Sequence, residues 1–207
     1  MKRSKVLSIL LAVMITLSSF SCLSVVTSAA NLVASGYTQE TKNEEPENRV
    51  VAWQLFDDGV LEIYADPGQP EWAKYADLIT TVKAANNGSA SCSLTTLPGK
   101  SFYGYANLAT ADFSAAAATI DSIGAQAFEG CTSLTKIIMP NGVTAIGDYA
   151  FYNCPNLAYA ELSASLRKEL IGKNIFKDCP ALATVVIPNG IEAIGYGMFE
   201  DCSALAT

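Results

Sequence analysis

In the second half of the chain, apolar positions fall into a recurring block. Ile123-Gly124-Ala125-Gln126-Ala127-Phe128-Glu129-Gly130-Cys131 returns as Ile146-Gly147-Asp148-Tyr149-Ala150-Phe151-Tyr152-Asn153-Cys154. It returns again as Ile171-Gly172-Lys173-Asn174-Ile175-Phe176-Lys177-Asp178-Cys179 and as Ile194-Gly195-Tyr196-Gly197-Met198-Phe199-Glu200-Asp201-Cys202. A leucine stands three residues after each cysteine, at Leu134, Leu157, Leu182 and Leu205, and the Phe-to-Phe steps are 23, 25 and 23 residues. A worn copy 26 residues upstream keeps Phe102 and Leu108, with Tyr105 in the cysteine slot. Self-similarity at this period is the signature of a solenoid.

Each block continues into a short run of alternating residues: Leu134, Ile137, Met139; Leu157, Ala160, Leu162; Leu182, Val185, Ile187; and Leu108, Ala111, Phe113 in the worn copy. Alternation puts those side chains on one face of a strand. Pro140-Asn141-Gly142 and Pro188-Asn189-Gly190 then end the strand, since proline cannot donate to a ladder and glycine permits positive φ. The Ile-Gly step predicts a tight bend and the Ala-Phe after it a short helical turn. About six inward apolar residues per unit, each contributing roughly 1.5–3 kcal/mol when buried, have nothing to pack on inside one unit. Neighbouring units must therefore stack. If the apolar set points in, Thr110 and Asp112, Lys136 and Ile138, Tyr159 and Glu161, and Thr184 and Val186 point out as one small sheet. That face is a candidate docking surface; its exposed Ile138, Tyr159 and Val186 can also be read as scattered surface apolars.

Upstream the pattern is weaker. Val51, Trp53 and Leu55 alternate, Asp57-Asp58-Gly59 intervenes, and Leu61 and Ile63 alternate again, which predicts a β-hairpin. Pro70 to Leu78 suits a short helix, and Ile79, Val82 and Ala84 a weak strand. Residues 49–90 thus form an expected N-terminal cap on a solenoid spanning 91–207, with about five units and the last one incomplete. Residues 31–48 carry Glu40, Glu44, Glu45 and Glu47 without apolar periodicity and predict a disordered acidic leader. Residues 1–30 have the form of a signal peptide: Lys2, Arg3 and Lys5, then the apolar run Val6 to Leu17, then Ser28-Ala29-Ala30 as a small-residue cleavage site. A lipid-modified Cys22 is the rival reading, disfavoured because Ser19-Phe20-Ser21 lacks the expected aliphatic residue.

Charge narrows the partners. The formal charge is −7 over 207 residues, and removing the three positive and no negative charges of the signal segment makes it −10. That argues against nucleic acid, which needs clustered Lys and Arg. After signal cleavage no long apolar stretch remains for membrane insertion.

The Ile-Gly-x-x-Ala-Phe-x-x-Cys-x-x-Leu core and the Ile-x-Pro strand end resemble the BspA-type leucine-rich-repeat family of bacterial surface proteins, over about Leu94 to Thr207. The Trp53…Asp58-Gly59…Ile63 segment resembles what precedes such repeats. The resemblance implies a leucine-rich-repeat solenoid of short stacked strands, a secreted or cell-surface location and protein binding. It implies no catalytic residues and no cofactor. Two departures stand out. Ser163 replaces the strand-end proline and two extra residues intrude, so Ser163 to Glu169 is expected to bulge. The chain also stops at Leu205-Ala206-Thr207 without a polar cap, an expectation of a longer parent chain or of self-association through that end.

The remaining candidate chemistry is thin. Cys131, Cys154, Cys179 and Cys202 occupy equivalent slots and form a predicted ladder. Neighbouring rungs about 4.8 Å apart hold Cβ atoms beyond the ~3.8 Å mean of a disulfide, so buried free thiols are expected. An oxidising compartment pushes the other way, and Cys92 lies outside the ladder. There is no histidine and no Cys-x-x-Cys, so metal sites of ordinary spacing and His-dependent triads are excluded. Asp57-Asp58 is read as a turn former and Glu200-Asp201 as a solvated face. The expected function is a non-enzymatic scaffold or adhesin for an extracellular protein. The alternative is a structural spacer or carbohydrate-associating surface repeat.

Overall fold

The computed structural model describes residues 30–37, 51–65, 71–85, 94–113 and 120–206. The signal segment with Cys22, the acidic stretch after Tyr37, Pro70 and Cys92 lie outside the described residues.

The alternating runs form strands as their patterns require. β1 (Leu32–Tyr37), β2 (Val51–Phe56) and β3 (Val60–Ile63) are antiparallel neighbours, and β4 (Thr81–Ala84) pairs parallel with β3. β6 (Thr110–Asp112), β8 (Lys136–Ile138), β10 (Tyr159–Glu161) and β11 (Thr184–Val186) continue it in parallel, giving an eight-stranded sheet ordered β1-β2-β3-β4-β6-β8-β10-β11. The Ile-Gly steps and the upstream Thr96-Leu97 make a second sheet of two-residue strands, β5 (Thr96–Leu97), β7 (Ser122–Ile123) and β9 (Ala145–Ile146), and an Ile146–Ile171 bridge extends it. Strand spacing therefore sets the rise from coil to coil.

The hairpin forms across Asp57-Asp58-Gly59, with Gly59 at φ 82° and Trp53 opposite Ile63. The short helix is a 3₁₀ turn, Glu71–Tyr75. The expectation of a disordered leader from residue 31 is corrected over Leu32–Tyr37, which pairs with β2. Alternation gave no warning, because Leu32 and Val33 are exposed and this edge strand is held chiefly by main-chain bonds. Asn31 anchors its start by donating from N and Nδ2 to the Asp57 carboxylate, both at 2.9 Å.

The core is a column of rings. Phe102, Phe128, Phe151, Phe176 and Phe199 stack at centroid spacings of 5.0, 5.1, 5.3 and 5.8 Å, tilted by no more than 18°. Trp72, fully buried, begins the column 5.7 Å from Phe102 and donates its indole N–H to the Ser101 carbonyl at 3.2 Å. The predicted helical turn around each phenylalanine is a hydrogen-bonded turn with two left-handed residues per coil: Lys100 and Gly104, Gln126 and Gly130, Tyr149 and Asn153, Asn174 and Asp178, Gly197 and Asp201. This geometry turns alternate N–H groups along the solenoid. Gln126, Phe128 and Gly130 donate to the carbonyls of Asp148, Ala150 and Tyr152 at 2.7–2.9 Å, and Tyr149, Phe151 and Asn153 to those of Lys173, Ile175 and Lys177 at 2.9–3.0 Å.

The insertion is only partly a bulge. Ala164, Ser165 and the 3₁₀ turn Lys168–Leu170 are exposed, whereas Ser163 and Leu166 are buried. The Ser163 hydroxyl donates to the Asn141 carbonyl at 3.1 Å and accepts from Ser165 N, so it replaces proline's stop with a hydrogen-bonded one.

Candidate functional site

The conserved-looking slots of the block resolve into structural roles. Each cysteine thiol donates to the phenylalanine carbonyl of the preceding coil: Cys131 to Phe102 at 3.1 Å, Cys154 to Phe128 at 3.2 Å, Cys179 to Phe151 at 3.2 Å and Cys202 to Phe176 at 3.0 Å. All four are free and buried. Cysteine thus fills a small apolar space and supplies a donor to a main-chain carbonyl inside the core. Cys154→Ala should cost about 1–3 kcal/mol by removing this buried hydrogen bond and leaving the Phe128 carbonyl with the Cys131 N–H alone, at 3.2 Å, and Cys154→Ser, which keeps a donor, should cost less. Urea unfolding of the two variants checks this; equal losses would contradict it.

Burial also sets the thiols' acidity. Desolvation pushes Cys131 up to about 12 and Cys202 to about 11, from the ordinary 9.0. Cys179 is raised first by its hydrogen bond with Cys154 and then by desolvation. Above pH 9.0 the unfolded thiols release protons that the folded ones retain, so stability complete below that pH falls as pH rises towards 12. The urea midpoint should therefore be lower at about pH 10.5 than at about pH 8. A midpoint that rose or stayed flat would contradict the burial.

The carboxylate pairs are structural as well. Asp58 accepts from Val60 N at 3.1 Å within the hairpin turn, and the Asn31 hydrogen bonds hold Asp57 below its ordinary range. Glu200 meets Lys177 Nζ at 2.8 Å, and Asp201 fills a left-handed position at φ 60°.

The outward strand residues come together. Thr110, Lys136, Tyr159 and Thr184 stand in register across β6, β8, β10 and β11, and Ile138, Glu161 and Val186 form a second row beside them. Asp112 begins that second row on β6, in register with Lys83 of β4. Ile138 and Val186 are 39% and 36% exposed, while Ile137 and Ala160 between the rows are fully buried. Lys136 Nζ lies 4.8 Å from the Tyr159 ring centroid, and the Tyr159 hydroxyl donates to Glu161 at 3.0 Å. That hydrogen bond raises the Tyr159 pKa.

Sequence reasoning missed how far the face extends. Register carries the first row through Thr81 and Val60, and the second through Lys83, Glu62 and Gln54. The Tyr64 hydroxyl donates to Glu62 at 2.5 Å and lies 2.9 Å from Gln54, so the N-terminal end of the face is fixed by hydrogen bonds. The alternation of Glu62 and Lys83 with buried Leu61, Ile63, Val82 and Ala84 was the available signal.

A family model described as the BspA type leucine rich repeat region matches residues 89–207 in six copies. The chain belongs to the BspA-type leucine-rich-repeat family. Among solved structures, this BspA-type chain is similar to a leucine-rich-repeat protein of T. pallidum, at 30% identity and a TM-score of 0.54, covering 74% of this chain and 65% of that one. It is similar to a leucine-rich-repeat protein from Bacteroides ovatus at 32% identity, TM-score 0.45, with 56% and 27% of the two chains covered. A leucine rich cell surface protein from Faecalibacterium prausnitzii matches at 18% identity and a TM-score of 0.30, covering 65% of this chain and 52% of that one. The BspA-type chain therefore spans less than two thirds of the length of each of these proteins. No curated protein matches this sequence.

Proposed function

We propose that this BspA-type chain is a secreted or cell-surface, non-enzymatic scaffold that docks an extracellular protein on the outward face of its eight-stranded sheet. The observation that carries the reading is the registered double row from Thr110 and Asp112 to Thr184 and Val186. It combines exposed apolar side chains, a positioned aromatic ring and charges of both signs on a rigid ladder. Extended solenoid faces serve binding because the coils beneath hold every row in place. Tyrosine and aliphatic side chains ringed by polar groups suit an interface core and rim. The sequence of residues 1–30 supports export, with its basic start, apolar run and Ser28-Ala29-Ala30.

Replacing Ile138, Tyr159 and Val186 together with serine tests the reading. None of the three is a fully buried core residue, so the fold should survive, checked by circular dichroism. Capture of a partner isolated with the parent chain should fall by at least about tenfold, a loss of one or two interface anchors. Unchanged capture by the folded variant would reject this face.

A further inference from the structure

The buried phenylalanines are flanked by a second ordered surface, separate from the strand face. In each coil the residue two before the phenylalanine and the residue one after it lie side by side at the surface. Lys100 Nζ sits 5.6 Å from the Tyr103 ring centroid. Gln126 Nε2 donates to Glu129 Oε2 at 2.8 Å. The Tyr149 and Tyr152 rings meet edge to face at 5.5 Å. Asn174 with Lys177, and Gly197 with Glu200, hold the same two slots in the next coils, and Tyr196 beside Gly197 is 79% exposed. The result is a two-residue-wide ribbon that carries Lys100 and Tyr103, then Gln126 and Glu129, then Tyr149 and Tyr152, then Asn174 and Lys177, then Gly197 and Glu200, so that aromatic residues recur in one slot at Tyr103 and Tyr152, two coils apart, with Tyr196 one position outside it.

Backbone strain singles out this ribbon independently. The first slot is left-handed in every coil, and Gly197 shows that glycine serves it. Yet Tyr149 occupies it at φ 59° and Lys100 at φ 62°. A bulky aromatic at positive φ is a genuine outlier, and such strain is kept where the displayed side chain has a use.

Spacing identifies the use. One coil is 5.0–5.8 Å along the phenylalanine column, so Tyr103 and Tyr152, which hold the same slot two coils apart, are separated by roughly 10 Å. In an extended β-1,4-linked sugar chain, neighbouring rings face opposite ways and equivalent faces recur at every second sugar, on the same length scale. We propose that the ribbon binds a neutral, extended β-1,4-linked polysaccharide, with Tyr103 and the Tyr149–Tyr152 pair against alternate sugar faces and Gln126, Glu129 and Lys177 reaching the hydroxyls beside them. Aromatic faces suit the C–H faces of sugars, and the amide, carboxylate and ammonium groups suit their hydroxyls. Neutrality follows from charge: the chain is formally −7, Glu129 and Glu200 lie in the ribbon with Asp178 beside it, and Lys177 is already paired with Glu200 at 2.8 Å, so a polyuronate is repelled.

Titration calorimetry of the full chain with cellohexaose, N-acetylchitohexaose and the β-1,4-linked polyuronate polymannuronate tests the proposal. At least one neutral hexaose should bind, its disaccharide should bind at least about tenfold more weakly, and polymannuronate should not bind. Tyr149→Gly and Tyr149→Asn suit the left-handed position, so each should keep the parent's melting temperature or raise it while lowering hexaose affinity about tenfold. The serine triple variant of the strand face should bind the hexaose as the parent does, which separates this site from the protein-docking face. Neither hexaose binding, affinity unchanged in the Tyr149 variants, binding of polymannuronate, or loss of binding in the strand-face variant would each overturn the proposal. A protein partner competing at Tyr149 in place of a hexaose would do so too.

Discussion

Phe151→Ala is expected to destabilise the chain by about 3–5 kcal/mol, the largest effect of any single truncation in the repeat. Phe151 is fully buried, with Phe128 stacked 5.1 Å on one side and Phe176 5.3 Å on the other. Its removal opens a cavity between two coils whose main chains are tied by the Tyr149, Phe151 and Asn153 hydrogen bonds, so neither side can close the gap freely. In a solenoid each coil is stabilised through its nearest neighbours, so the cost scales with the number of interfaces lost. Phe199 stacks on Phe176 alone, at 5.8 Å, and is only partly buried. Phe199→Ala should accordingly cost about half as much as Phe151→Ala. Urea unfolding followed by far-ultraviolet circular dichroism measures both. Equal losses at the two positions would show that the rings do not act as a chain of neighbours.

Gly147→Ala is expected to cost about 3 kcal/mol or more, at or above the top of the usual range for overpacking. The reason is purely steric. A Cβ on Gly147 would lie 2.4 Å from the main-chain nitrogen of Ala125 and 2.6 Å from its Cα, one coil away. Backbone cannot rotate aside as a side-chain tip can, so the coils would have to part and stretch the Gly147 N to Ile123 O hydrogen bond, now 2.8 Å. Gly172 repeats the situation, 2.4 Å from Asp148 N. Gly142 is the control, since its added Cβ would meet only the Ile120 carbonyl at 3.2 Å. Gly142→Ala should stay within about 1 kcal/mol of the parent. Similar costs at Gly142 and Gly147 would contradict this account of the Ile-Gly step.

These expectations rest on features that differ in how openly the sequence displays them. The Phe128, Phe151, Phe176 and Phe199 column is legible because a residue recurring at one slot of a stacked unit must lie above its copies. The alternation of Ile137 with Lys136 and Ile138 likewise announces which strand face is dry. Trp72 at the head of the column was not legible, because it lies in a 3₁₀ turn outside the repeat and only stacking on Phe102 reveals its place. β1 was hidden for the reason that most edge strands are: main-chain pairing leaves little mark on side-chain pattern. Gly36 does contribute, since the Trp53 ring occupies the space where a Cβ would stand.

The candidate site was legible in part. The four pairs from Thr110 and Asp112 to Thr184 and Val186 follow from the repeat alone. Their continuation through Lys83 and Glu62 needed the parallel pairing of β3 with β4. The cysteine slot could be read as buried, but not as a donor to the preceding coil's phenylalanine carbonyl, because that contact depends on the left-handed turn. The turn itself had a signal: glycine, asparagine or aspartate two residues after each phenylalanine, all tolerant of positive φ. Tyr149 broke the same pattern at the other left-handed slot.

Amide hydrogen exchange, followed residue by residue in the full chain, tests the stacked-coil account most directly. The amides of Phe102, Phe128, Phe151 and Phe176 each donate to the next coil and should be among the slowest to exchange, with protection shared along the column. Exchange of these four near the unstructured rate, or protection at one with none at its neighbours, would contradict the account.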